Sequence, residues 1–112
     1  VTTVFQILLV APAQLGNTDV AVYSVPTQQT AKVGRAVFTN TTASAVAITA
    51  GITAGGALGP GTTLISARTI APGEAYVSPE LSGAVLPAGS QLHAFAALAA
   101  AITFTVSGLL IQ

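Results

Sequence analysis

The sequence predicts an all-β fold, an antiparallel β-sandwich of jelly-roll type with about eight or nine short strands. Three observations carry this. Apolar and polar residues alternate with period two in several segments, as in Ile102, Phe104 and Val106 against Thr103, Thr105 and Ser107. Gly, Pro and Asn clusters recur about every 8–12 residues. No segment shows a helical stripe with caps. A length of 112 residues fits one domain, residues 1–112.

The strands follow in order. Residues 3–11 are apolar on both faces apart from Gln6, and Pro12 is expected to end them. Such a strand belongs in the centre of a sheet or under another subunit, so residues 1–11 are a candidate inter-subunit strand or arm. Residues 19–25 alternate, and Pro26 to Gln29 form a turn. Residues 30–39 make a third strand with Lys32 on one face and Arg35 on the other, and Gly34 marks a bulge. Residues 45–53 are a fourth strand. Residues 54–61 hold four glycines and Pro60 and form the clearest loop. Residues 62–70 and 75–78 resume strand character. The corners Ala71-Pro72-Gly73-Glu74 and Pro87-Ala88-Gly89-Ser90 echo each other and suggest one reused geometry.

Residues 81–112 contain no charge, and residues 94–111 reach the length of a membrane span. Their alternation and the lack of flanking Lys or Arg favour a pair of antiparallel strands, 91–97 and the segment from Ile102 onward, over a membrane helix. A helical turn within the alanine-rich residues 94–101 is the alternative to a hairpin there.

Charged residues make up only 5% of the chain, three acidic and three basic, against roughly 25% in soluble domains. With a net charge of zero, copies repel each other little. The composition suits a subunit covered by other subunits, or a secreted or cell-surface domain rich in hydroxyl residues. Three dispersed cations make no nucleic-acid footprint. The absence of Cys removes disulfides and thiolate metal sites. A chain that starts at Val1 and holds no Met is expected to have lost its initiator or been cut. No basic region precedes the apolar residues 4–13, as a signal peptide would require.

The candidate chemistry is sparse. His93 is the single histidine, and Asp19, Glu74 and Glu80 stand at no diagnostic spacing from it, so neither a catalytic set nor a metal set is expected. Glu74 and Glu80 do not read as a catalytic carboxylate pair. The glycine-rich loop lacks the ending of a phosphate loop, and Asn40-Thr41-Thr42 fits an N-glycosylation acceptor only as a short motif. No cofactor is expected. The candidate contact residues are Val4, Phe5, Ile7, Leu8 and Leu9 in the first strand, Leu58 in the loop, and Leu109, Leu110 and Ile111 near the carboxyl end.

Several motifs together resemble a known family. Tyr23-Ser24-Val25-Pro26, Phe38-Thr39-Asn40, Ala45-Val46-Ala47-Ile48-Thr49, the two glycine corners and Val106-Ser107-Gly108 look like those of small virion proteins of tailed bacteriophages. The similarity runs over residues 19–112, with Ser90 where the pattern often has an acidic residue. It implies a non-enzymatic capsid decoration or cement protein on the capsid surface. Such a protein would form a dimer or trimer, contact the major capsid protein or other virion proteins, and bind neither nucleic acid nor membrane. The alternatives are a tail or head-fibre module that binds host glycan, and a small jelly-roll hydrolase, for which the clustered histidines or carboxylates are missing.

Overall fold

The computed structural model describes residues 4–111, which form nine strands in two antiparallel sheets. The strands are β1 (Val4–Gln14), β2 (Ala21–Ser24), β3 (Thr30–Asn40), β4 (Val46–Thr53), β5 (Thr63–Ile70), β6 (Ala75–Val77), β7 (Val85–Leu86), β8 (Gln91–Ala96) and β9 (Ile102–Ile111). Thr3, where a strand was expected to begin, lies outside the described residues, as do Val1, Thr2 and Gln112.

The first sheet runs β1-β9-β3-β6, with β7 also on β3, and the second runs β2-β8-β4-β5. The pairs are nested: β1 with β9, β2 with β8, β3 with β6 and β7, β4 with β5. The chain doubles back once, at the loop between β4 and β5, and the doubled ribbon rolls so that its strands alternate between sheets. That is the jelly roll. The glycine-rich residues 54–61 form the tip of the ribbon, where the chain must reverse.

The rolling corrects one expectation. β8 and β9 do not form a hairpin, because they lie in different sheets. Residues 97–101 cross between the sheets, tied by Ala97 N–H to Ala47 O (2.9 Å) and Ala100 N–H to Leu15 O (3.1 Å). Both strands turn apolar residues to the same interior from opposite sides, and alternation gives a strand's faces without giving its partner. The membrane-helix alternative also fails, because residues 102–111 form a strand, and among the described residues no helix is long and apolar enough to cross a membrane.

A second correction concerns β1. It sits at an edge of its sheet, paired only with β9, and runs through Pro12 to Gln14. Proline lacks the N–H of a central strand and is tolerated at an edge, here beside register shifts between Leu8 and Val10 and between Val10 and Ala13. Leu9 is buried while Leu8 is 59% exposed, so within its own chain the strand is not covered on both faces and is not a central strand.

In β3 the register with β9 shifts between Val33 and Arg35, which places the bulge at Gly34. Ala31 and Val33 are buried before it, Ala36, Phe38 and Asn40 after it. The extra residue switches the inward parity from odd to even numbers. Lys32 and Arg35, expected on opposite faces, are therefore both exposed on the outer face.

The core is thin and built around Phe38 and Phe104, register partners whose ring centroids stack 4.5 Å apart. Ile48, Leu81, Leu86, Leu92, Ile102 and Val106 fill around them, with Ala36, Ala50, Ala94 and Ala96 where the sheets approach. The two corners share one geometry: Glu74 N–H bonds Ala71 O (3.1 Å) and Ser90 N–H bonds Pro87 O (3.0 Å). Each has its glycine third with positive φ, 74° at Gly73 and 82° at Gly89, as a type II turn requires.

Asn40, read as a possible glycan acceptor, is fully buried. Its amide nitrogen donates to Ser44 O (2.8 Å) and Ile70 O (2.9 Å). Its Oδ1 accepts from Thr42 N–H (2.9 Å) and Thr42 Oγ1 (2.7 Å). One side chain thus joins the end of β3, the following turn and the end of β5 in the other sheet. Asn40→Ala would strand these groups and is expected to cost about 3 kcal/mol in chemical denaturation. The folded protein is expected to accept no glycan at this triplet in a glycosylating host, by mass spectrometry.

Candidate functional site

A groove of about 570 Å³ lies on the outer face of the first sheet. Gln6, Ile7 and Leu8 of β1, Gly34 of β3, and Ser107, Gly108 and Leu109 of β9 line it. Its floor follows from two glycines. A Cβ on Gly108 would stand 2.1 Å from Lys32 O and 3.0 Å from Gly34 N, and one on Gly34 would stand 3.3 Å from Ser107 O. The backbones of β3 and β9 therefore close on each other at the bulge without side chains between them.

This groove gathers some of the candidate contact residues. Ile7, Leu8 and Leu109 line it. Val4, 53% exposed, pairs with Ile111 at one end of the sheet, and Phe5 pairs with Leu110. The Phe5 side chain lies outside the described residues. Ile7, although it borders the groove, packs against the core together with Leu110, and Leu9 belongs to the core. Leu58 lies elsewhere, on the loop between β4 and β5. Gln6, Gly34, Ser107 and Gly108 were not among the candidates. Only the broken alternation around Gly34 hinted at the site, and its partner Gly108 becomes visible once the β3–β9 register is known.

A second constellation joins residues far apart in sequence. Asp19 Oδ1 is 2.7 Å from His93 Nδ1, and Asp19 Oδ2 accepts the Leu58 N–H at 2.9 Å. With the carboxylate ionised, Nδ1 carries the hydrogen. The His93 Nε2 faces the Gln91 Oε1 at 3.0 Å. The Leu58 amide, then the His93 hydrogen bond, hold the Asp19 carboxyl below its ordinary value. Asp19 therefore latches the glycine-rich loop to β8. No hydroxyl or thiol nucleophile bonds His93 here, and among the described residues no three His, Cys, Asp or Glu side chains cluster as metal ligands do.

At the β6 edge, the Arg68 guanidinium lies 4.2 Å over the Tyr76 ring, and the Tyr76 hydroxyl donates to both oxygens of Glu80. Burial first, and then the Glu80 carboxylate, raise the Tyr76 phenol. Ring and hydroxyl are both engaged, so Tyr76 is no free stacking platform. Glu74 and Glu80 do not act as a pair: Glu80 holds Tyr76, while Glu74 accepts the Ala71 N–H within its own turn (3.4 Å).

The fold is similar to that of part of infectious bursal disease virus VP2. A chain from its VP2 subviral particle matches with a TM-score of 0.55 at 16% identity, over 98% of this chain and 32% of that one. A chain from the Gx strain of the same virus matches with a TM-score of 0.57 at 15% identity, over 98% of this chain and 32% of that one. The chain thus spans about a third of the length of these structures. At such identity the likeness is one of fold. No family model matches the chain, and no curated protein matches it.

Gly108→Ala is expected to destabilise by about 3 kcal/mol in denaturant titrations, since its Cβ meets backbone that cannot yield. Gly16→Ala, with nothing within 4 Å, is expected to change stability by less than about 0.5 kcal/mol. Because the Asp19 carboxyl is lowered from 3.8, its stabilising contribution is complete above that pH and is lost as pH falls through the lower folded value. Hydrogen exchange at the Leu58 amide is expected to lose protection on such acidification, and Asp19→Asn to remove most of that pH dependence.

Proposed function

We propose that this chain is a non-enzymatic structural protein of a virus particle. In finer form, it is a decoration or cement subunit on the capsid surface of a tailed phage, oligomerising as a dimer or trimer and bracing the major capsid protein or other virion proteins. The observation that carries this reading is the fold. The nested two-sheet order extends over the whole described chain and resembles chains from virus particles over 98% of its length.

Three further features support it. The phage-like motifs at residues 19–112 support the finer role. A surface with six charged side chains and, among the described residues, seven large apolar residues above 40% exposure, including Val4, Leu8, Val77 and Val85, suits a protein that ends up between neighbours. The one Asp–His pair is spent on holding a loop. Under this reading β1, an apolar and uncharged edge strand, is a contact element between subunits.

The test is sedimentation followed by electron microscopy. The purified protein is expected to sediment as a dimer or trimer at micromolar concentration and to co-sediment with capsids, with many copies ordered on the shell. A copy number of only a few per particle would overturn the cement role, and a strict monomer that ignores capsids would overturn the structural role itself.

A further inference from the structure

The chain has three cations. Arg68 is engaged by the Tyr76 ring. Lys32 and Arg35 are exposed, and among the described residues the single acid–base pair is Asp19 with His93, so neither cation meets a carboxylate. The bulge at Gly34 turns both to the outer face of the first sheet. There they stand opposite Leu109 and Ser107, which line the groove. Asp19 sits before β2 and Glu74 on the turn ahead of β6, while Glu80, on the segment that Ser82 ties to Gly34, is engaged by the Tyr76 hydroxyl. In a chain this poor in charge, an uncharged groove is flanked by its two uncommitted cations.

We propose that this groove docks an extended, acidic segment of another protein, with an apolar side chain in the groove and carboxylates against Lys32 and Arg35. The charge pattern selects the occupant. A second copy applied through the same face would bring four cations together with no uncommitted anion among them, whereas a partner bearing carboxylates complements the face. An extended chain presents alternate side chains on one side, so Glu-x-Leu-x-Glu offers all three groups at once. The proposal rests on the reading of the chain as a subunit of a larger assembly, and it names the chemistry of the neighbour.

The probe is a capped peptide with leucine at its centre, glutamate two positions to either side and threonine between, titrated into isotope-labelled protein by NMR. Amide shifts are expected at Gly34, Ser107 and Gly108, with affinity falling about fivefold or more between low salt and 0.5 M salt. Lys32→Glu with Arg35→Glu, both at exposed positions, is expected to weaken binding about tenfold or more. The same peptide with lysine for glutamate is expected to bind that variant in preference to the natural protein. Equal binding of the two peptides to the natural protein, or no groove shift at millimolar glutamate peptide, would overturn the proposal. So would groove shifts that track protein concentration without peptide, which would put a second copy there. A protein that joins particles yet ignores the peptide loses the groove assignment alone, and one that binds the peptide but joins no particle loses the assembly role alone.

Discussion

Along the β3–β9 ladder, residues 30–40 pair antiparallel with residues 102–111, interrupted once, at Gly34. This seam lies at the centre of the first sheet, with β1 beyond one strand and β6 and β7 beyond the other. It sets Phe38 directly against Phe104, the two largest fully buried side chains. Without the bulge, the parity that buries Ala31 and Val33 would expose Ala36, Phe38 and Asn40. One inserted residue keeps both halves of an eleven-residue strand facing the same interior. It also puts Lys32 and Arg35 on the outside together and leaves the glycine floor of the groove.

Around this seam the loops are held by polar groups used sparingly. Asn40 closes one end of the sandwich by bonding both sheets. Asp19 holds the far loop to β8 through His93 and the Leu58 amide. Ser78 accepts the Leu81 N–H (3.2 Å), and Ser82 reaches Gly34 O (3.1 Å), so the segment between β6 and β7 is tied back to the bulge. Each linkage lies at a crossing between elements, where buried or half-buried backbone groups need partners that no ladder supplies. A thin core rich in alanine fixes few loops by packing alone, which gives these contacts their weight.

The distribution of charge follows the same economy. Asp19 is committed to the latch, and Arg68 and Glu80 to Tyr76. Of the large apolar residues exposed among the described residues, Val4, Leu8, Val77 and Val85 lie on strands of the first sheet. That sheet carries the long edge strand β1, the groove and the uncommitted cations Lys32 and Arg35.

The sequence by itself determined the all-β class, most of the places where the chain turns though not the end of β1, the bulge at Gly34 and the shared geometry of the two corners. These depend on local chemistry: side-chain period, the φ a glycine can adopt and the ring of proline. It also marked Ile7, Leu8 and Leu109 as apolar candidates, though nothing local joined them to Gly34 or Gly108. Tertiary structure alone decided that β8 and β9 part into different sheets, that β1 takes an edge, that Asn40 is an internal tie and that Asp19 reaches His93 across 74 residues. Alternation tells a strand which side to bury and is silent about its neighbour. The neighbour is chosen when the doubled ribbon rolls and both sheets bury their apolar faces at once.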